Sequence, residues 1–293
     1  MEDCELKQRV RLILCWGIVG LLGPPTTVCA QSLPDFMESW EFGLNVDEDE
    51  GPSYFADILL PLYRDSDRTR LLFVEPRVRY ADRSYLFNSG LGFRQLALNQ
   101  SWLLGMNVFH DYDTDDSHYR VGWGAEALSA YAEARTNMYI GLSQKRLVEE
   151  NAGGNTFEEA VNGWDFELGA PVPYYSRLKV FGGYNFYNFE EFKNRYGWTL
   201  RAEYKPFPFL VIDGLVSDST KSNVDWGMTV AFRIPLGDNA PQSWHSPLQW
   251  DATAFPESDA SEFLYSLVER HHEIVVERWR QTGTLTVEVA RGT

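Results

Sequence analysis

Apolar and polar residues alternate in about twelve short segments that fill residues 39–236, and this pattern constrains the fold more than any other feature. The clearest segment is 198–205, with the sequence WTLRAEYK. Because successive side chains of an extended strand point to opposite faces, this segment separates Leu200 from Arg201. Segments of about ten residues that are apolar on one face and charged on the other are typical of a transmembrane β-barrel with a polar interior.

The alternation predicts an all-β protein, a twelve-stranded antiparallel transmembrane outer-membrane β-barrel with a C-terminal linker or plug segment. An exported β-sandwich is the alternative, because its strands also alternate between a buried and a wet face. The regular series, with Trp, Tyr or Phe on many strands, favours the barrel. Pro61 and Pro76 fit a strand poorly, because proline has no N–H to donate. The predicted strands are 39–46, 54–62, 71–80, 85–95, 102–111, 118–127, 131–143, 163–170, 177–187, 197–205, 208–216 and 224–235.

The predicted connections alternate in length, as expected when short turns lie on one side of a membrane and longer loops on the other. Short turns are expected at 96–101, 128–130, 171–176 and 205–208. Longer acidic loops are expected at 47–53, 111–117, 144–162, 188–196 and 217–223. A short helix is predicted near 262–268, and the alternation at 284–289 predicts the start of one more strand.

The first 30 residues have the features of a secretory signal peptide. A basic stretch precedes an apolar run at 12–23, and small residues lie before a predicted cut at Gln31. The run is too short for a transmembrane helix, which needs about 20 residues. Cys4, Cys15 and Cys29 are the three cysteines of the chain. The mature protein is therefore predicted to have no thiol for a disulfide or for metal binding.

The charge balance argues against a nucleic-acid partner. The chain has 26 Lys and Arg against 42 Asp and Glu, a formal net charge of −16. Binding to phosphates requires clustered basic side chains, which this composition does not supply. Aromatic residues make up 15% of the chain, and Trp and Tyr suit a membrane interface because one end of each side chain is apolar and the other polar.

Several phrases of the sequence resemble the β-domain of the inverse autotransporters, the intimin/invasin family. The resemblance covers about residues 39–277, with the elements in order. The phrases are 58–63 (ILLPLY), 90–95 (GLGFRQ), 104–113 (LGMNVFHDYD), 119–126 (YRVGWGAE), 163–168 (GWDFEL), 202–208 (AEYKPFP) and, after the barrel, 265–277 (YSLVERHHEIVVE).

This resemblance implies an outer-membrane translocator barrel that anchors and exports a C-terminal segment to the cell surface through its own lumen. Such proteins carry an adhesive passenger, and they depend on outer-membrane lipid, periplasmic chaperones and the barrel-assembly machinery. A host or cell-surface ligand is expected only with a passenger. The alternative is a small plugged outer-membrane channel or structural barrel that exports nothing. No enzymatic activity and no cofactor are predicted.

The pattern and the resemblance together divide the chain into five parts. These are a signal peptide (1–30), a short N-terminal segment (31–38), the barrel (39–237), a pore linker (238–262) and a post-barrel segment with a short or missing passenger (263–293).

Charged residues on the polar faces of the strands are expected to line the lumen, where they would be solvated, pair across it or hold the linker. The predicted lumen-lining residues are Arg77, Arg79, Arg120, Glu126, Glu133, Arg135, Asp165, Glu167, Lys179, Arg201, Glu203 and Arg233.

Three patterns with chemical potential are interpreted as structural. Asp111, Asp113, Asp115 and Asp116 offer oxygen ligands for calcium, but they lack the glycine turn and distal Glu of an EF-hand loop, so an acidic surface loop is expected. The pair at 271–272 lacks the HExxH spacing of a zinc site. A serine next to a histidine at 117–118 does not define a nucleophile and base, and neither does its pairing with the histidine at 110. No metal site is predicted.

Overall fold

The computed structural model describes residues 39–48, 51–151, 154–235, 249–255, 259–282 and 285–289. The predicted signal peptide (1–30), the N-terminal segment (31–38) and most of the predicted linker (238–262) lie outside these residues. Within the described part of the chain, no helix is long and apolar enough to cross a membrane.

Twelve antiparallel strands close into a barrel, which confirms the predicted fold class. The first strand pairs with both the second and the last, so the barrel has no open edge. A hairpin of two further strands is inserted after the seventh. The barrel strands are β1 (Ser39–Asp47), β2 (Gly51–Arg64), β3 (Arg70–Ala81), β4 (Ser84–Ala97), β5 (Trp102–Asp113), β6 (Tyr119–Leu128), β7 (Glu133–Gly141), β10 (Asn162–Val172), β11 (Tyr175–Asn188), β12 (Arg195–Phe207), β13 (Leu210–Ser219) and β14 (Ser222–Pro235), and the inserted hairpin is β8 (Arg146–Asn151) and β9 (Gly154–Ala160).

The outer face of the barrel is apolar, as the alternation predicts. Trp198, Trp226 and Met138 are exposed there, whereas the charged side chain of Glu203 faces inward and is buried. In lipid every backbone polar group must be satisfied within the protein, and a closed ladder of strands achieves this. The period of two residues therefore assigns one face of each strand to lipid and the other to the interior.

The two prolines are accommodated without breaking the barrel. Pro61 lies where the pairing register between β2 and β3 shifts, and such irregularities tolerate a missing N–H donor. Pro76 pairs with Ser89 and is exposed on the outer face.

The two ends of the barrel differ. At the turn end, where β1 begins and β14 ends, short turns join strands such as β10 and β11. At one of these turns, the Thr69 hydroxyl and the N–H groups of Thr69 and Arg70 bond to Asp65, and these hydrogen bonds lower the pKa of Asp65. The opposite end carries β8 and β9 and is called the hairpin end.

The connections at the hairpin end are shorter than predicted, because the strands extend into the predicted loops. Only residues 220–221 separate β13 from β14, where a longer loop was expected. The long connection 144–162 is not a loop. It folds into β8 and β9, whose brief alternation the sequence interpretation missed.

The inserted hairpin belongs to a second sheet that includes the C-terminal part of the chain. Strand β15 (Val276–Thr282) pairs antiparallel with β9, and β16 (Leu285–Glu288) pairs with β15. The strand order is β16-β15-β9-β8. The strand predicted near 284–289 is thus confirmed. It pairs with β15, which in turn pairs with β9 from a segment more than 100 residues earlier in the sequence.

Between β14 and β15, the described residues 249–255 and 259–275 lead from the turn end to the hairpin end. At the turn end, the Asp251 N–H bonds to the carbonyl of Tyr174 (2.8 Å). A short 3-10 helix, Ala260–Phe263, follows, instead of the helix predicted near 262–268. The N–H of its first residue bonds to the Gln100 carbonyl in the β4–β5 turn (2.9 Å). Residues 259–275, called the pore segment, then run through the interior to β15.

Candidate functional site

Near the turn end, one wall of the lumen forms an apolar core, where a polar lining was expected throughout. Inward side chains of β2, β3, β4, β5 and β6 pack there against the pore segment, and together they exclude water. The strands with the least regular alternation are β2 and β3, which have apolar residues on both faces at this point. The cluster consists of Leu59, Leu71, Phe73, Leu96, Leu103, Phe109, Leu128, Ala260, Phe263, Leu264, Tyr265, Leu267 and Val268.

Next to this core, Arg94 holds the backbone of the pore segment. Its guanidinium is fully buried and pairs with Glu126 (Nε to Oε1, 2.6 Å). The same guanidinium donates to the carbonyl oxygens of Leu264 (3.1 Å) and Ser266. Such contacts need the planar fork of arginine, which presents several N–H groups in fixed directions.

The buried carboxylate of Glu75 holds the backbone of the pore segment a few residues further on, at Val268. The Glu75 side chain is fully buried on β3, and both of its oxygens accept from the N–H of Val268 at 3.1 Å. The barrel thus binds both donors and acceptors of the pore-segment backbone, which has no strand partner of its own there.

Towards the hairpin end, Asp111 joins one arginine of the barrel to one of the pore segment. Arg120 Nε donates to Asp111 Oδ2 (2.8 Å), and Arg270 forms two bonds to the same carboxylate (2.7 and 2.8 Å). Arg120 also donates to the carbonyl oxygens of His271 (2.8 Å) and His272 (2.9 Å). All three charged side chains are at most 1% exposed.

The approach of Arg270 to β6 requires a glycine. A Cβ atom on Gly122 would lie 2.8 Å from Arg270 Nη2. On the neighbouring strand, the Tyr139 hydroxyl accepts from the N–H of His271 (3.0 Å) and donates to Asp165 Oδ2 (2.6 Å). The pore segment is therefore fixed by shape as well as by charge.

Beyond the lumen, Glu277 ties the β11–β12 connection to the second sheet. Its buried carboxylate accepts from three successive backbone N–H groups, those of Glu190 (2.8 Å), Glu191 (3.1 Å) and Phe192 (2.8 Å). Successive N–H groups that converge on one anion form a concave binding site for it. Burial, together with the carboxylates of Glu190 and Glu277, raises the pKa of Glu159 on the facing strand.

Replacing this carboxylate should release the connection that it orders. In Glu277→Ala, we expect the amides of residues 190–192 to exchange about 10-fold faster or more, because a hydrogen bond to a charged group contributes about 1.5–3 kcal/mol. Hydrogen exchange with mass spectrometry measures this effect. Gln281→Ala, an exposed position on the same strand, should leave the exchange unchanged, and equal rates in both variants would contradict the assignment.

The twelve residues predicted to line the lumen all lie on barrel strands. Three of them contact the pore segment: Arg120 as described, Arg79 through Glu273 Oε1 (2.7 Å) and Lys179 over the ring of Phe263 (4.8 Å). The contacts described for the others join barrel residues to one another. These pairs are Arg77 with Asp57, Glu126 with Arg94, Glu133 with Arg135 and Lys179, Asp165 with Tyr139, Glu167 with Arg201, Glu203 with Lys205, and Arg233 with Glu41.

Several residues that hold the pore segment were missed or misassigned. Asp111 was interpreted as part of an acidic surface loop, but it is buried in the lumen because β5 extends to Asp113. Arg94 was not among the predicted residues, although it shares the inward face of β4 with Gly90 and Gly92. The alternation of inward and outward side chains along these strands was the signal that could have placed both residues inside.

The remaining sequence motifs have different surroundings. His110 is exposed on the outer face, beside the ring of Tyr119. His118 is buried, and its ring bonds to Ser143 and Glu158 instead of to the adjacent serine at 117. Within the described residues, no hydrogen bond joins the serine at 117 to either histidine, so the pairing considered from the sequence is not formed.

The pairing of β15 with β9 can be tested by a disulfide, because the predicted mature chain has no cysteine of its own. Thr156 and Arg280 face each other in register, and Arg280 Nε lies 3.2 Å from Thr156 Oγ1. Thr156→Cys with Arg280→Cys should oxidise spontaneously and lose both thiols to a maleimide probe. The pair Asn155→Cys with Arg280→Cys has side chains on opposite faces and should keep both thiols reactive.

The fold and its occupied interior define a class: an outer-membrane β-barrel of twelve strands whose lumen is filled by its own C-terminal segment. A solved structure described as "Unveiling the Mechanism Behind the in-meso Crystallization of Membrane Proteins" has the same fold, with a TM-score of 0.66 and 23% identity over 82% of this chain and 99% of that one. The family profile of the inverse autotransporter β-domain matches residues 26–272. The chain belongs to this family.

Two curated relatives agree with this assignment. The chain is 28% identical over 236 residues to invasin of Yersinia enterocolitica, which covers 77% of this chain and 27% of invasin. It is 29% identical over 246 residues to the inverse autotransporter adhesin YeeJ of Escherichia coli strain K12, which covers 80% of this chain and 10% of YeeJ. The chain thus spans about a quarter and a tenth of these relatives' lengths.

Proposed function

We propose that this protein is a non-enzymatic translocator barrel of the outer membrane, which anchors the chain and exports its C-terminal segment to the cell surface. The observation that carries the proposal is the path of residues 259–282. They enter at the turn end, follow the inner wall and leave at the hairpin end as β15, paired with β9. In outer-membrane barrels the short turns lie in the periplasm, so this path leads outward.

The partners of the barrel follow from its surface and its class. The apolar outer face, with residues such as Trp123 and Leu168 exposed, suits contact with outer-membrane lipid. Periplasmic chaperones and the barrel-assembly machinery are the partners that we propose for delivery and insertion. An adhesive function, which the name of the adhesin YeeJ states for that protein, would reside in a passenger attached beyond the second sheet.

The position of the C-terminus tests this function. An epitope tag is fused after Thr293, and the protein is expressed with its own N-terminal segment. On intact cells, antibody or external protease should reach the tag while a periplasmic marker stays protected. If the tag is reached only after permeabilisation, although the protein is in the outer membrane, the export proposal is wrong and the protein is a plugged channel or structural barrel.

A further inference from the structure

Three side chains with metal-binding chemistry converge at the hairpin end, outside the lumen contacts described above. Asp116 and His118 belong to the β5–β6 connection, whereas Glu158 lies on β9. One ligand atom from each lies within 4.8 Å of those of the other two. His118 and Glu158 are fully buried, and Asp116 is half-buried.

The distance between the two buried ligand atoms suits a shared metal ion. His118 Nε2 lies 3.1 Å from Glu158 Oε2. Zinc binds histidine nitrogen and carboxylate oxygen at about 2.0–2.2 Å, which places two such ligands roughly 2.9 Å apart at a right angle and 3.3 Å apart at a tetrahedral angle. The observed separation lies between these values, so both atoms can bind one ion without moving apart.

The surroundings of His118 fix its ring in the orientation that a metal ligand needs. Its Nδ1 lies 2.9 Å from Ser143 Oγ, which also accepts from the N–H of Tyr119 (3.4 Å). When Nδ1 carries the proton and donates it to the serine, the lone pair of Nε2 points at Glu158. A histidine ligand held by a hydrogen bond to its other nitrogen is typical of metal sites.

The ligand types select the kind of ion. Calcium and magnesium prefer oxygen ligands alone, whereas imidazole suits zinc, copper, nickel and iron. Because Asp116 is only half-buried, a metal ion can reach the site from solvent on its side.

We propose that Asp116, His118 and Glu158 bind one divalent transition-metal ion, for which zinc is the probe. The ion would join the β5–β6 connection to β9, which in turn pairs with the exported strand β15. It would thus fasten the second sheet to the mouth of the barrel. The site does not depend on export, because all three ligands precede the pore segment.

Metal content of the purified, folded protein tests this site. The protein in detergent is stripped with EDTA, incubated with zinc sulfate and desalted, and bound zinc is measured by mass spectrometry. The wild type should hold about one zinc per chain, and His118→Gln should hold none. Ser143→Ala should weaken binding about 10–100-fold, the usual effect of removing the group that orients a ligand. His110→Gln, on the outer face, is the matched control and should bind like the wild type.

Cobalt gives a second measurement that depends on the same ligands. The stripped wild type should develop the visible absorption of a bound Co²⁺ ion, and Asp116→Asn and His118→Gln should each lose it while still migrating on gels as folded barrels. If the wild type binds no stoichiometric zinc, or if His118→Gln binds it equally well, His118 and Glu158 form only a hydrogen-bonded pair and the proposal is wrong. A C-terminal tag on the cell surface would not change either outcome, so export and metal binding are tested separately.

Discussion

The Asp111→Asn variant is expected to lose about 3–5 kcal/mol of stability, because removing one partner from a buried ion pair leaves charge without compensation. Asp111 is the only carboxylate described as bonded to both Arg120 and Arg270, and all three side chains are buried. Asparagine keeps the shape of the side chain but removes its charge. Two buried guanidinium groups would then repel each other next to the pore segment.

Urea unfolding in detergent, followed by the heat-dependent shift of the barrel on gels, measures this loss. The pore segment should also become accessible to protease before the barrel itself unfolds, because Arg270 belongs to the segment and not to a strand. Asp115→Asn in the exposed part of the β5–β6 connection is the matched control and should change stability by less than about 0.5 kcal/mol. Wild-type stability in Asp111→Asn would refute the role assigned to this carboxylate.

The Arg94→Met variant should lose a similar amount of stability. Arg94 holds the pore segment closer to the turn end than Asp111 does. Methionine occupies a similar volume but cannot bond to Glu126 or to the carbonyl oxygens of Leu264 and Ser266. The buried carboxylate of Glu126 would remain without its cation, and such a loss costs about 3–5 kcal/mol.

A second substitution separates the effect of the unpaired charge from the loss of hydrogen bonds to the pore segment. In Arg94→Met with Glu126→Met, the unpaired carboxylate is gone, and replacing both partners of a buried pair by apolar residues is often neutral. The double variant should therefore recover much of the stability of the barrel. Its pore segment should still be more accessible to protease than that of the wild type. A double variant as unstable as the single one would show that charge is not the cause.

The losses of stability expected for Asp111→Asn and Arg94→Met have a common consequence for the permeability of the membrane. The barrel holds the pore segment through buried arginines and carboxylates at Arg94, Glu75 and Asp111, and it adds an apolar core near the turn end. Contacts of this kind close the lumen around the segment that occupies it. A variant that releases the segment should make the membrane more permeable to small solutes even if the C-terminus still reaches the surface.

Local alternation was sufficient to predict the twelve barrel strands and their two faces. Leu200 and Arg201 face opposite sides because the side-chain period of a strand is two, and this holds wherever the strand lies in the fold. The same rule failed at 144–162, where β8 and β9 are too short to show a clear period. It also gave no reason to expect an apolar core in the lumen, because that core forms only when the pore segment packs against the wall.

The sequence by itself thus determined the class of fold, the lipid-facing and inward-facing sides of the strands and the family resemblance, since all of these depend on neighbouring residues or on short phrases. Only the tertiary structure decided the path of the pore segment, the pairing of Asp111 with Arg270, the addition of β15 to β9 and the convergence of His118 with Glu158. The partners in these contacts lie 40 to 159 residues apart or on separately formed strands. Their proximity follows from barrel closure and chain threading, which no local pattern records.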